Sequence, residues 1–351
     1  MRKRYNSVSD GCGGGARGFP LMKASNVKKI TRRSFFSLCA ALTFIFFNCG
    51  EPYYFPTSLW QMKAVPPGGS AAMACHKNAV FFVTENKIVK FDGNTFTEDY
   101  LAREAVQFYD VGFSGNDGWA VGADIAGKKA FIVHNGGGRW RELVINEGNL
   151  SHFLQVTPVG AGRCWLVAFP SSLFFWDGAR LRLMAGGAPV NGGCYDESNG
   201  VLYTYRAKGP NNWELLITGD GGKSWVSEKI PTSLHGFPLS TIFSWAAGAG
   251  ALYFAGLGTS PIVKRTGGAG RGEYEIVFRS GVGPNFRDVK DMAFNDFGDG
   301  VAVGDDTTVV FSPERVYLEE TIDVQFKLVT ADAAGGFWAL GGDPLGLFYR
   351  R

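Results

Sequence analysis

Trp119-Ala120-Val121-Gly122-Ala123-Asp124 recurs as Val301-Ala302-Val303-Gly304-Asp305-Asp306 and again as Trp338-Ala339-Leu340-Gly341-Gly342-Asp343. Each copy reads large apolar, Ala, aliphatic, Gly, any residue, Asp, and each follows a glycine-containing turn. Weaker copies stand at Trp165-Leu166-Val167-Ala168 and Tyr253-Phe254-Ala255-Gly256, and strand-like centres at Val80–Val83 and Val201–Tyr205 fill the gaps. The seven centres, near 81, 119, 165, 202, 253, 301 and 338, lie 37 to 51 residues apart, about 43 on average. That period belongs to four-stranded propeller blades. The expectation is an all-β fold, a seven-bladed β-propeller of four-stranded antiparallel blades over residues 58–351. Ala and Gly would let inner strands crowd the central channel, while the alternating large residues fill the space between sheets. No stretch of 50–351 keeps a 3.6-residue apolar period, so helices should be scarce.

A second element closes some blades. Thr218-Gly219-Asp220-Gly221-Gly222-Lys223-Ser224-Trp225 matches the Asp-box pattern S/T-x-D-x-G-x-S/T-W at Thr218, Asp220, Gly222, Ser224 and Trp225. In such a turn the Asp accepts backbone N–H groups, Gly takes the bend and Trp packs between sheets. Asn135-Gly136-Gly137-Gly138-Arg139-Trp140 is a degenerate copy, and Asp92–Phe96 and Asp177–Leu181 read as shorter turns of the same kind.

The ends of the repeat region fit one another. Trp60-Gln61-Met62-Lys63-Ala64-Val65-Pro66 has the Trp-to-Pro spacing of Trp225–Pro231, which follows the Asp-box. Residues 58–66 therefore read as a fourth strand with no blade of their own. The last blade, starting near Val324, has room for only three strands, so 58–66 is expected to complete it and to close the ring.

Gly118-Trp119-Ala120-Val121-Gly122 leading to His134–Trp140 resembles the repeat of photosystem II stability/assembly-factor-like propellers, within the Asp-box (BNR-type) group. The resemblance covers roughly 58–351. It implies a docking or assembly scaffold that binds protein partners without catalysis.

Charge divides the chain. Of 35 Lys+Arg and 32 Asp+Glu, residues 1–49 hold nine basic residues and one acid, which leaves 26 and 31 in 50–351, a net of −5. An acidic body argues against nucleic acid as partner. The basic excess belongs to a leader. Lys28-Lys29-Ile30-Thr31-Arg32-Arg33 precedes Ser34–Phe47, fourteen largely apolar residues without a charge, and then Asn48-Cys49-Gly50. That is a secretory signal, too short for a transmembrane helix, which needs about 20 residues. Cys49 occupies the place of the acylated cysteine, so the segment resembles a bacterial lipoprotein signal with a relaxed lipobox. Thr31–Phe36 also resembles a twin-arginine export motif, and Sec or twin-arginine export both remain open. Met22 would give a signal of normal length. The organisation read here is a leader over 1–49, a tether over 50–57 and the propeller over 58–351. Its place is exported and lipid-anchored to a bacterial membrane, on the periplasmic face or cell surface.

Chemistry finds little support. Asp-boxes also occur in sialidases, so a carbohydrate-binding or sialidase-like glycosidase propeller is the alternative. It would need an arginine cluster, a Tyr nucleophile with a Glu partner and an acid/base carboxyl, and nothing in the sequence marks such a set. Ile217 stands where a phosphate loop needs its first glycine, and no G-x-S-x-G elbow occurs. His76, His134, His152 and His235 are scattered, and Asp288, Asp291, Asp296, Asp299, Asp305 and Asp306 do not have calcium-loop spacing and read as solvated turns. No catalytic residue, metal site or cofactor is expected. Beyond Cys49 the body keeps Cys75, Cys164 and Cys194, with Cys164–Cys194, between adjacent blades, the candidate disulfide.

Overall fold

The repeat Trp-Ala-Val-Gly is a strand buried on both faces, and its alternation decides how the sheets stack. In a strand, successive side chains point to opposite faces. Ala120 therefore joins a core with the preceding blade, while Trp119 and Val121 join one with the following blade. Ala302 against Val301 and Val303 repeats this division, as does Ala339 against Leu340. The small residue lets the earlier sheet approach; the large ones fill the gap to the later sheet.

The computed structural model describes residues 53–55 and 59–351, apart from 67–68, 146–149, 185–189, 191, 210–211, 235–236, 239–241, 257–260, 279–288, 306, 313–314, 321–323 and 344. Cys49, Met22, the rest of the leader and His235 lie outside the described residues.

Two short strands come first, β1 (Tyr53–Phe55) and β2 (Gln61–Ala64). Blade 1 is β3 (Ser70–His76), β4 (Ala79–Thr84), β5 (Lys87–Phe91) and β6 (Phe96–Leu101). Blade 2 is β7 (Val106–Ser114), β8 (Asp117–Asp124), β9 (Lys129–Gly136) and β10 (Trp140–Glu142). Blade 3 follows with β11 (Phe153–Pro158), β12 (Cys164–Ala168), β13 (Ser172–Trp176) and β14 (Leu181–Leu183). Blade 4 has β15 (Gly193–Asp196), β16 (Val201–Gly209), β17 (Asn212–Thr218) and β18 (Val226–Lys229), with a small hairpin, β19 (Ser233–Leu234) and β20 (Phe237–Pro238), after it. Blade 5 contains β21 (Ile242–Gly248), β22 (Ala251–Gly256), β23 (Ile262–Thr266) and β24 (Glu273–Phe278). Blade 6 contains β25 (Val289–Phe294), β26 (Gly300–Gly304), β27 (Thr307–Phe311) and β28 (Val316–Glu320). Blade 7 takes β29 (Phe326–Ala331), β30 (Phe337–Gly341) and β31 (Gly346–Arg350) from the end of the chain. Its fourth strand is β2, antiparallel to β31 with Gln61 opposite Tyr349 and Met62 opposite Phe348. The ring is closed by its own beginning. β1 adds a fifth, parallel strand outside β28.

The described residues form no helix. The first strands of successive blades pack on one another around the axis. The repeat lies on β8, β26 and β30, second from the axis, and not on the channel strand itself. The reason is a bulge in the first strand, between Phe108 and Asp110 in β7 and between Phe326 and Leu328 in β29. The bulge drives a backbone carbonyl against the repeat glycine. A Cβ on Gly122 would sit 1.9 Å from the Gln107 oxygen, and one on Gly341 would sit 2.3 Å from that of Gln325. Only glycine fits there.

Seven apolar cores result, one in each blade interface, from blades 1 and 2 round to blades 7 and 1. This arrangement overturns the Cys164–Cys194 disulfide. Cys164 is buried in the core between blades 2 and 3, whereas Cys194 packs into the core between blades 4 and 5. The two side chains point away from each other, and Cys75, Cys164 and Cys194 are all free thiols.

Candidate interaction face

In blades 1 to 6 the turn joining the first two strands and the turn joining the last two fall on the same side of the ring, as does the first turn of blade 7. Short polar side chains stiffen this turn face by accepting backbone N–H groups. Asp92 Oδ1 accepts from Asn94 (2.9 Å) and Thr95 (2.8 Å), Asn135 Oδ1 from Gly137 (3.1 Å) and Gly138 (2.7 Å), and Asp177 Oδ1 from Ala179 (3.0 Å) and Arg180 (2.9 Å).

The 218–225 turn is the most fully bonded. Ser224 donates to Asp220 through its hydroxyl (2.6 Å) and its N–H (3.0 Å), the Thr218 hydroxyl donates to Asp220 (2.9 Å), and Gly222 N donates to Thr218 Oγ1 (2.9 Å). Those bonds, Ser224 foremost, hold the Asp220 carboxyl down at about 2. Its lone pairs are spent on the turn. Trp225 meets Trp165 edge-on at 6.0 Å, next to the core between blades 3 and 4.

Two clefts open on this face where blades diverge. The one between blades 1 and 2, of about 400 Å³, has His76, Lys77 and Lys90 around Phe81 and Phe113. His76 stacks on Phe113 at 4.8 Å, and Lys90 Nζ lies 6.0 Å from the Phe81 ring. Burial, then Lys77 and Lys90, push the His76 pKa down, so its imidazole is neutral at pH 7. The acids of this cleft are committed elsewhere: Asp92 to its turn, and Asp99 to the Trp140 indole N–H at 2.7 Å. Lys77 and Lys90 have no ion pair among the described residues. The cleft between blades 3 and 4, about 690 Å³, repeats the arrangement with Arg163 and Lys223 beside Trp165, Phe175 and Tyr195. A donor-rich, aromatic-lined slot suits a carboxylate-bearing segment.

Two carboxylates at the axis were not legible as such in the sequence. Asp110 and Asp291 sit at the first-strand bulges of blades 2 and 6. Asp110 accepts from Val111 N (2.9 Å) in its own blade and from Val156 N (2.9 Å) in the next. Asp291 does the same with Met292 N and Val329 N, both at 2.9 Å. Each is a staple between neighbouring blades. Asp291, expected in a solvated turn, is thus a strand residue; Asp296 and Asp299 do lie in the 295–299 turn. Loss of solvent raises both carboxyls to about 7, although each keeps a partial opening to the channel.

An Arg–Tyr–Glu group does assemble, on the flank between blades 4 and 5. Arg265 is 1% exposed and donates to Glu228 through Nε (3.1 Å) and Nη2 (2.8 Å), while Gly272 N and the Tyr274 hydroxyl also donate to Glu228. Burial and Glu228 push the Tyr274 pKa upward, the opposite of what a nucleophile needs. Arg265 also donates to the Gly267 and Gly268 carbonyls, so four of its five N–H donors are held within the fold. Among the histidines, His134 bonds Asp117 at 3.0 Å and His152 bonds Ser151 at 3.0 Å, in separate places. Among the described residues no group of three or more His, Cys, Asp or Glu is placed to hold a metal ion.

No family model matches the sequence, and neither does any curated protein. Solved structures do resemble it. YCF48 bound to D1 peptide superposes with a TM-score of 0.63 at 13% identity, covering 86% of this chain and 98% of that one. YCF48 from Cyanidioschyzon merolae gives 0.59 at 14% identity, over 84% and 99%. The WD40 β-propeller domain of Doa1 gives 0.57 at 12% identity, over 83% and 97%. At these identities the likeness establishes the propeller fold.

Proposed function

We propose that the protein is an exported, lipid-anchored propeller that binds a protein partner without catalysis, as a scaffold in the assembly of an envelope or membrane complex. The leader ends at Cys49, which carries the lipid, and 50–57 tethers the ring. The turn centred on Asp220 is structural. The observation that carries the reading is the pair of clefts on the turn face, each offering two basic side chains beside aromatic rings, with neighbouring acids hydrogen-bonded into the fold. An acidic or carboxylate-bearing peptide segment fits them best. A propeller of this fold, YCF48, holds a D1 peptide, which supports a peptide as the kind of occupant. The glycosidase alternative loses ground to the closed Arg265–Glu228–Tyr274 group.

Crosslinking in intact membranes followed by purification tests this reading. One stoichiometric partner should be recovered with the wild-type chain. Lys77→Glu/Lys90→Glu or Arg163→Glu/Lys223→Glu should reduce its recovery more than about tenfold, since each reversal removes a charge-assisted contact and adds a repulsion. Undiminished recovery with both variants, or turnover of a fluorogenic sialoside by the wild type, would refute it.

A further inference from the structure

The chain joins the ring on the turn face. β1 runs parallel to β28, with Tyr53 opposite Tyr317 and Phe55 opposite Glu319. β28 begins at the turn face, after the 312–315 turn, so Tyr53 lies at that edge and the preceding chain leaves from it. Cys49 is four residues before Tyr53, a reach of about 14 Å at most. A lipid on Cys49 would keep the turn-face rim of blade 6 within that distance of a bilayer.

Charge points the same way. Six blades have a turn joining the third and fourth strands, and five of these turns bear an exposed cation: Arg139, Arg180, Lys223, Arg271 and Arg315. Of these, Arg180 shares Asp177 at 3.6 Å. Asp92, Asp177 and Asp220 stand in the same turns, so the described circumference has five cations against three acids, whereas the exported body has a net charge of −5, from 26 basic and 31 acidic residues. The centre of the face is different, because Glu197, Asp296 and Asp332 line the channel mouth. Near that centre stands Phe297, 68% exposed. Its turn is pinned by Asn295, which accepts from Phe297 N (3.0 Å) and Asp299 N (2.9 Å) and donates to the Gly335 carbonyl of blade 7 (3.0 Å). An aromatic ring held out of the surface by a pinned turn is already in position to enter a lipid interface.

We propose that the turn face is the membrane side of the propeller, resting on anionic headgroups of the leaflet that holds Cys49. The circumferential cations lie at headgroup level, Phe297 enters the interface, and the opposite face looks away from the bilayer. Cations in such a position are attracted by anionic lipids, and one acyl chain gains from a second signal of this kind. The inference rests on the lipid-anchor reading of Cys49. It also places both clefts towards the bilayer, within reach of segments that emerge from it.

The test uses the full, processed chain in vesicles of phosphatidylethanolamine and phosphatidylglycerol. An environment-sensitive fluorophore is attached at Phe297→Cys or at Ile125→Cys; Ile125 is 57% exposed on the opposite face. Burial pushes the thiols of Cys75, Cys164 and Cys194 up, so they compete poorly for the label. Emission at 297 should shift to the blue and be quenched by spin-labelled lipid, with position 125 unaffected. In the unacylated Cys49→Ser chain, Arg139→Glu/Lys223→Glu/Arg271→Glu should weaken binding to the same vesicles more than about tenfold. Quenching at 125 instead of 297, or at neither, overturns the orientation. So does a probe at 297 that is shielded in whole membranes yet unquenched in pure lipid, which would assign the face to a protein. Mass analysis of Cys49 separates the two layers: an unacylated cysteine overturns the anchor and the orientation together, whereas an acylated chain that fails the quenching test overturns the orientation alone.

Discussion

Single residues join the blades at two places where removal should be costly. Asp291→Ala would leave Met292 N and Val329 N without their acceptor, and an unsatisfied buried donor costs about 1–3 kcal/mol. Chemical denaturation should show that loss, and Asp291→Asn, which keeps one acceptor, should lose less. The two axial carboxyls also give a pH signature. Both are raised to about 7 in the fold from an ordinary value of 3.8, so between those limits the native state holds protons that the unfolded chain has released. Their contribution is complete below pH 4, declines as pH rises and is gone above 7. Denaturant midpoints measured across pH 4–7 should therefore fall less steeply in Asp110→Asn/Asp291→Asn than in the wild type. Glu228 is the second place. Glu228→Gln strands Arg265, which is 1% exposed, and breaking a buried pair costs about 3–5 kcal/mol; thermal unfolding should record the drop, with Glu228→Leu/Arg265→Met less damaging than the single change. None of these roles was legible beforehand. Asp291 stood in a run of acids that reads as solvated turns, and only the bulge, set by two paired strands, aims it at the next blade.

The strands themselves were readable, because burial on both faces leaves a compositional mark. Trp119-Ala120-Val121-Gly122 shows which side must be small, which large, and where a backbone approaches. What it does not show is how far from the axis the strand lies, since the bulge that demands the glycine sits in its neighbour. Gly122→Ala should destabilise by about 1–3 kcal/mol or more, the range for overpacking, because the obstruction is backbone and cannot rotate away. A denaturation midpoint equal to wild type would remove the bulge as the reason for the repeat. β1 escaped the sequence reading because three residues carry no period. The clefts escaped it for another reason: His76 and Phe113, or Arg163 and Lys223, become neighbours only when separate blades meet.

At the scale of the ring, closure is the element most visible in the sequence, through the Trp-to-Pro spacing shared by 60–66 and 225–231. The structure adds an apolar anchor, with Trp60 packed 4.9 Å from Phe326. Deleting 58–66 removes that anchor and leaves β31 as a bare edge, which invites pairing with other chains. The deletion should lose its cooperative melt and elute as aggregate in size exclusion; a melt unchanged from wild type would discard closure as a source of stability. The charge reading also changes with scale. A net of −5 describes the body, but the described turns between third and fourth strands hold five cations against three acids.

Closure by β2 also sets an order in time. Gln61 pairs with Tyr349, so one of the earliest segments of the body waits for one of the last. Contacts this distant in sequence form slowly. A chain synthesised amino end first can build blades 1 to 6 as it emerges, yet it remains an open arc with two adhesive ends until its final residues are available. Ring closure is therefore the last step of folding. A chain interrupted anywhere in its last blade is left as an unclosed arc, available to chaperones and proteases.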